Sequence, residues 1–183
     1  MKPRKATRRS AALWMIVCAG ALSVSAAASA ATREIPMHAV DANGVGARMG
    51  AVRVEDSAKG LLFDVELKGI PPGEHGFHVH EHADCGPKAQ DGKMTAAGAA
   101  GGHYDPKKTG RHAGPTGAGH LGDLPAIKAD SEGRVNAHVV APRLKMSDLK
   151  GRSLMVHVGG DNYADGPKPL GGGGARIACG RIG

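Results

Sequence analysis

Two histidines alternate with apolar residues in the segment 76–85. Side chains on a β-strand alternate between its two faces, so His78 and His80 would leave one face together, about 7 Å apart at Cα. Phe77 and Val79 would point to the opposite face. Neutral imidazole binds copper, zinc, iron and nickel alike. The pair therefore predicts half of a metal site without naming the metal.

A second set of candidate ligands lies further along the chain, in a segment rich in glycine and proline. Its members are three histidines and one carboxylate, namely His103, His112, His120 and Asp123. Imidazole and carboxylate groups without nearby cysteines suit a tetrahedral zinc site that is not of the zinc-finger type. One such histidine alone would indicate only a solvated polar loop. Four ligands beside the first histidine pair favour a zinc site.

Short strands are predicted to position these residues. The apolar residues at 61, 63, 65 and 67 alternate with polar ones, which is typical of a half-buried strand. The other predicted strands cover residues 34–40, 49–55, 134–140, 153–158 and 175–179, in addition to the strand that carries His78. No segment supports a long amphipathic helix. About eight short strands separated by glycine and proline turns predict an all-β fold, an antiparallel β-sandwich or Greek-key β-barrel.

Two long connections interrupt this rhythm of strands and turns. They cover residues 83–130 and 159–174. Connections of this length without regular structure are usually functional or disordered. The first contains all four candidate zinc ligands, so we expect the long loops to carry the chemistry.

The first thirty residues have the pattern of a secretory signal peptide. Basic residues within positions 2–9 precede an apolar run that lacks acidic residues, and Ala28-Ser29-Ala30 fits a cleavage site. The apolar run is too short and too rich in alanine for a convincing membrane span. We expect a signal over residues 1–30 and a single domain over residues 31–183, with no membrane contact after cleavage. Arg8-Arg9 leaves the export route open.

The charge of the chain belongs largely to this leader. The formal net charge is +7, but the leader holds five of the 24 lysines and arginines and none of the 17 acidic residues. The remaining chain is close to neutral. A nucleic-acid partner would need a clustered basic face, so we expect no binding to nucleic acid.

The cysteine count also agrees with export. Cys18 would leave with the leader, so Cys85 and Cys179 would remain in an oxidising compartment, where they are expected to pair. A bridge over so long a loop would destabilise the unfolded chain by roughly 4 to 5 kcal/mol in the entropy model.

Five stretches together resemble the copper/zinc superoxide dismutase family, and within it the exported bacterial branch. They are GFHVHE at 76–81, GHYDP at 102–106, GHLGDLP at 119–125, VH at 156–157 and GGGGARIACG at 171–180. The resemblance covers essentially the whole chain after the leader. It implies a Greek-key β-barrel, superoxide dismutase activity and a periplasmic location.

The resemblance also implies a role for each candidate residue. It implies that one copper is bound by His78, His80, His103 and His157, and one zinc by His103, His112, His120 and Asp123. His103 would then bridge both metals as an imidazolate. The remaining implied roles are a copper-channel position for Arg176, a contact of Asp161 with His78 and His112, a Cys85–Cys179 disulfide and a structural role for His75. His38, His82 and His138 correspond to no ligand position.

The implied reaction converts two superoxide anions and two protons into oxygen and hydrogen peroxide through a Cu(II)/Cu(I) cycle. Zinc, which has no redox chemistry, would hold the loop, and His103 would supply a proton to the peroxide. The alternative from another class is a non-catalytic periplasmic protein that binds or delivers copper and zinc on the same fold. The resembled branch contains monomers and dimers, so the sequence leaves the oligomeric state open, with a homodimer as our expectation.

Overall fold

The structure is a computed structural model, and it describes residues 32–183. The predicted signal over residues 1–30 lies outside the described residues. The strands are β1 Thr32–Asp41, β2 Gly44–Ser57, β3 Gly60–Lys68, β4 Gly73–His75, β5 Phe77–His80, β6 Lys88–Gln90, β7 Lys93–Thr95, β8 Ile127–Ala129, β9 Arg134–Ala141, β10 Arg152–His157 and β11 Arg176–Ile182. Short 3-10 turns cover Gly98–Ala100, Met146–Leu149 and Leu170–Gly172.

Seven strands form one antiparallel sheet in the order β5-β10-β11-β1-β2-β3-β9. Each predicted strand corresponds to one of these seven. β3 lies next to the edge strand β9, whereas β5 forms the other edge, and the chain passes from β9 directly to β10 beside β5. Antiparallel strands joined by such crossing connections form a Greek key. The predicted all-β architecture is therefore confirmed.

One hydrophobic core receives side chains from all seven strands. The alternation predicted for β3 is observed, because Leu61, Phe63, Val65 and Leu67 are all buried. Phe63 packs edge-on against Phe77 of β5, with ring centroids 6.1 Å apart. These two strands are far apart in the sheet order, so their contact shows that the sheet curls around the core.

Both faces of β5 and β10 are buried, although such a strand usually has one solvated face. Phe77 and Val79 point into the core, while His78 and His80 are equally buried on the opposite face. The long loops cover this second face. The histidine face of β5 therefore lies at the junction of sheet and loops.

The first long connection contains more regular structure than the sequence predicted. β6 and β7 form a hairpin around Asp91 and Gly92, whose φ angles are 50° and 76°. An Asp-Gly pair is a known hairpin signal, since both turn positions need positive φ. β8 pairs with β4 in a second two-stranded ribbon.

A disulfide joins Cys85 to Cys179, as predicted, and so ties this connection to β11. Within residues 32–183, no helix has the length and hydrophobicity needed to cross a membrane.

Candidate metal centre

Strand register and one loop bring four histidines together. His78 and His80 lie on β5, and Met155 and Ser153 of β10 are their register partners. His157 follows at the end of β10. His103 arrives from the loop through an isolated bridge to His80. The four residues offer ligand nitrogens within 4.8 Å of one another, and we call them the first group: His78, His80, His103 and His157.

Backbone carbonyls determine which ring nitrogen carries the proton in His80 and in His157. Nδ1 of His80 donates to the Gly101 carbonyl at 3.0 Å, and Nδ1 of His157 donates to the Gly174 carbonyl at 3.0 Å. The Nε2 atoms of the two rings then face each other at 3.4 Å, and both are acceptors in the neutral tautomers. Two opposed lone pairs need a cation between them, so the arrangement fits a metal ion.

A second group of donors surrounds one carboxylate. Oδ1 of Asp123 lies 3.0 Å from Nδ1 of His103, 3.1 Å from Nδ1 of His112 and 3.4 Å from Nδ1 of His120. The Nδ1 atoms of His112 and His120 are buried, and within the described chain neither has a hydrogen-bond partner. Three imidazole nitrogens directed at one carboxylate oxygen fit a tetrahedral ion of the zinc type. His103, His112, His120 and Asp123 form the second group.

His103 belongs to both groups. Its Nδ1 lies at Asp123, and its Nε2 is buried without a hydrogen-bond partner in the described chain. Its ring stacks on that of His78, with centroids 3.9 Å apart. His78, in turn, lies within 4.8 Å of His103, His112 and Asp123, so the two groups adjoin. His103 is the residue that presents one nitrogen to each group.

Asp161 connects the two groups from behind. Its Oδ2 accepts a hydrogen bond from Nε2 of His78 at 2.8 Å, and its Oδ1 accepts one from Nε2 of His112 at 2.7 Å. The amide of Tyr163 also donates to Oδ1, at 2.8 Å. With Nε2 engaged, each of these imidazoles keeps only Nδ1 for a metal ion. Such outer partners fix the tautomer and aim of ligating histidines.

The electrostatics of the first group favour neutral imidazoles. Burial, together with the neighbouring His103, lowers the pKa of His78 to about 3. Burial is also the main cause that lowers the pKa of His157 to about 4 and that of His80 well below its usual value. Neutral imidazole is the form that binds a metal. These residues are therefore ready to act as ligands at neutral pH.

The second group is held together by charge. Burial opposes ionisation of Asp123 and Asp161, but hydrogen bonds from the histidines outweigh it and lower the pKa of both carboxyls. Burial lowers the pKa of His112, but the proximity of the same two carboxylates prevails and raises that pKa to about 9. Without a metal, His112 thus carries a proton between two carboxylates. A bound cation would replace that proton.

Arg176 lies beside the first group. The register of β10 and β11 pairs it with His157, next to an irregularity in the ladder. Its guanidinium donates to the carbonyl oxygens of Ala97 at 2.5 Å and Gly101 at 2.6 Å. The Gly101 carbonyl therefore accepts hydrogen bonds from both Arg176 and His80. A half-buried cation is thereby held at a fixed position near the histidines.

The other histidines lie outside both groups. The ring nitrogens of buried His75 are each 2.7 Å from a carbonyl oxygen, one of His157 and one of Pro71. His82 is exposed, and His138 lies 3.1 Å from Asp64 on the sheet surface. The sequence reasoning missed the carbonyls of Ala97, Gly101 and Gly174, because a backbone acceptor leaves no signal in residue type.

Fold and site together define a Greek-key β-protein with two adjoining groups of residues that fit metal ions. The family model described as Copper/zinc superoxide dismutase (SODC) matches residues 48–182. Superoxide dismutase (Cu-Zn) of Escherichia coli strain K12 is 53% identical over 163 residues, which cover 88% of this chain and 94% of that relative. The chain belongs to the copper/zinc superoxide dismutase family.

Solved structures agree with this assignment. The Cu/Zn superoxide dismutase from Brucella abortus superposes with a TM-score of 0.83 at 51% identity, covering 84% of this chain and all of that one. The monomeric copper, zinc superoxide dismutase from Salmonella enterica gives a TM-score of 0.76 at 51% identity over the same share of this chain and 100% of its own. The disulfide and these bacterial relatives are typical of an exported protein.

Proposed function

We propose that the chain is a superoxide dismutase, with copper held by the first group and zinc by the second. The observation that carries this proposal is that His103 presents one nitrogen to each group. Copper supplies one-electron chemistry, in which one superoxide is oxidised to oxygen and a second, with two protons, is reduced to hydrogen peroxide. Zinc has no redox chemistry, so the second group has a structural role.

The histidines of the first group have two roles, metal binding and proton transfer. His78, His80 and His157 bind through nitrogens whose ring partners are occupied by Asp161, Gly101 and Gly174. Nε2 of His103 is the atom that can hold a proton beside the substrate and transfer it to the reduced product. Nδ1 of the same ring stays directed at the second group. Proton supply and loop position are thus linked through one side chain.

Arg176 binds and orients the substrate. Superoxide is a small anion, and the guanidinium is a fixed cation beside His157. Burial lowers the pKa of Arg176, although an arginine stays charged at neutral pH. Two of its nitrogens are engaged by carbonyls, which limits its movement. A positioned cation attracts an anion at little ordering cost.

Metal analysis of two variants tests the ligand assignment. His103→Ala should lower the occupancy of both metals, because it removes a donor from each group. His157→Ala should chiefly lower copper. Both variants should be measured alongside superoxide disproportionation by the same samples. Full occupancy of both metals and wild-type turnover in His103→Ala would exclude the bridging role.

The same measurements on the wild type separate the enzyme from a metal-delivery protein. A delivery protein would bind both metals without disproportionating superoxide. An enzyme should lose its activity when copper is removed and regain it when copper is restored.

Export and assembly complete the proposal. Residues 1–30 act as a secretory signal, residues 31–183 form the dismutase domain, and the mature protein resides in the periplasm. Sequencing the amino terminus of protein from the periplasmic fraction tests the cleavage site and the location, and the superoxide disproportionation activity of that protein tests the domain assignment. The homodimer stays a prediction, and the related Salmonella structure is described as monomeric. Sedimentation velocity of the metal-loaded protein distinguishes the two states.

A further inference from the structure

The loop between two ligands of the second group is attached to the barrel by one side chain outside both groups. Arg143 lies in the connection that follows β9, next to Leu144, which is buried in the core. Its guanidinium reaches the segment 114–120. His120 is the last residue of that segment, and His112 lies two residues before its start.

The attachment consists of hydrogen bonds to four backbone carbonyls. Nε donates to Pro115 at 2.8 Å, Nη1 donates to Gly119 at 3.2 Å, and Nη2 donates to both Gly114, at 3.1 Å, and His120. Within residues 32–183, Arg143 forms no salt bridge with a carboxylate. The contacts of its guanidinium described above are therefore with loop carbonyls and not with a carboxylate.

The four carbonyls converge on one guanidinium, and glycines allow the loop to fold this tightly. A Cβ on Gly117 would lie 2.1 Å from the Ala113 carbonyl oxygen, and one on Gly119 would lie 2.3 Å from that of Arg111. The amide of His120 donates to the same Arg111 carbonyl at 2.9 Å. Without a cation the converging carbonyl dipoles would repel one another, and the partly buried acceptors would lack donors.

We propose that Arg143 is a positioning residue for the second group. Its guanidinium fixes the loop that separates His112 from His120 and so sets the distance between their Nδ1 atoms. The inference rests on the proposed assignment of zinc to this group. Arginine is suited to the role because its planar fork carries five donors, whereas lysine offers a point charge with three.

Zinc affinity of Arg143 variants tests the inference. Copper-free and zinc-free protein is titrated with zinc against a chelator of known affinity. Arg143→Met should weaken zinc binding by roughly 10 to 100-fold, the usual range for an outer partner of a metal ligand. Arg143→Lys should fall between Arg143→Met and the wild type. Arg134→Met is the matched control, because the Arg134 guanidinium is exposed and pairs with Asp130 and Glu132.

Copper affinity and metal-free stability show whether the effect is specific. If Arg143 positions the second group, copper binding by zinc-free protein and the unfolding midpoint without metal should change little. Proportionate losses of zinc affinity, copper affinity and metal-free stability would indicate general destabilisation and overturn the inference. If Arg143→Met does not fold, Arg143→Lys is compared with the wild type by the same criteria.

Asp123→Ala distinguishes failure of this inference from failure of the proposed function. If Asp123→Ala loses zinc while Arg143→Met binds it within twofold of the wild type, the role of Arg143 is excluded and the ligand set stands. If Asp123→Ala binds zinc normally, the ligand set is wrong, and the inference that rests on it is overturned as well.

Discussion

At the scale of single residues, four imidazoles have one nitrogen engaged by a hydrogen bond that points away from the candidate metal positions: those of His78, His80, His112 and His157. Asp161 accepts hydrogen bonds from Nε2 of His78 and of His112. Backbone carbonyls accept hydrogen bonds from Nδ1 of His80 and of His157. His103, in contrast, has both nitrogens directed at candidate metal positions. Which nitrogen of a histidine is available is therefore decided by its hydrogen-bond partner.

Asp161→Asn tests the carboxylate that joins the two groups. An amide has one acceptor oxygen and one donor nitrogen, so it cannot accept from His78 and His112 as the carboxylate does. The affinity for metal should fall by roughly 10 to 100-fold, measured by chelator competition, while the barrel stays folded. Asp41→Asn, at the exposed end of β1, is the control. Unchanged affinity at both sites would remove Asp161 from the centre.

Substitutions at Arg176 test whether the cation guides superoxide. The rate constant should follow the order Arg, Lys, Ala, Glu, with little loss for Lys and a loss of about tenfold for Ala, equivalent to about 1.4 kcal/mol. The decrease in rate with added salt should become shallower in the same order, because less attraction remains to be screened. Pulse radiolysis at matched copper occupancy measures both quantities.

Arg181→Ala is the control for this series, since Arg181 is exposed on the same strand. It should leave the rate nearly unchanged. Equal rate constants for the Arg, Ala and Glu forms at position 176 would show that the guanidinium does not act on the substrate.

At the scale of elements, strands supply the ligands and loops close the site. β5 and β10 provide three imidazoles on a face that solvent would otherwise reach, and the two long connections cover that face. The loop 159–174 brings Asp161 against His78 and His112 only because a glycine lies opposite. Gly171 has φ of 71°, and a Cβ there would lie 1.9 Å from Oδ1 of Asp161 and 2.8 Å from Nε2 of His112.

Gly171→Ala should therefore displace the carboxylate and weaken binding of both metals, in the direction expected for Asp161→Asn. Gly172→Ala is a matched control, because Gly172 has φ of 83° but a Cβ there would meet nothing closer than Lys168 at 3.6 Å. Both variants carry the cost of a left-handed alanine, so their difference isolates the contact with Asp161. Equal metal affinities for the two variants would contradict this account.

At the scale of the whole molecule, the buried histidines couple the stability of the metal-free protein to pH. The pKa values of His78 and His157 are lowered to about 3 and 4, so the unfolded chain binds protons at these sites from about pH 6.5 while the folded chain does not. Stability should therefore fall as the pH decreases from 6.5 towards 4. His112 acts in the opposite direction, because its pKa is raised to about 9 and its contribution is lost as the pH rises through that value.

The free energy of unfolding of metal-free protein should thus be greatest near pH 6.5 to 7, which denaturant titrations at pH 4.5, 6.5 and 9 can measure. His157→Gln should reduce the slope on the acid side by the equivalent of about one proton. The exposed His82→Gln should not. A free energy of unfolding that does not change between pH 6.5 and 4.5 would contradict the coupling.

Some of this architecture could be predicted from local pattern alone. Side chains alternate between the two faces of any strand, whatever its neighbours are. This alternation is visible in the sequence at residues 61–67 and in the spacing of His78 and His80. The Asp91-Gly92 hairpin carried an equally local signal, and the prediction overlooked it. The disulfide followed from two cysteines remaining after export.

The sequence by itself determined the donor types, the strands that display them and, through resemblance, the family. Tertiary structure decided which nitrogen faces which group, because the deciding partners lie far away in the chain: Asp161 is 83 residues from His78, and the Gly174 carbonyl is 17 from His157. Arg143 is the clearest case, since its four acceptors are backbone carbonyls 23 to 29 residues away. The sequence shows which atoms of a residue can donate, accept or bind a metal. The hydrogen-bond partners that select one of these roles come together only when the sheet and its loops fold.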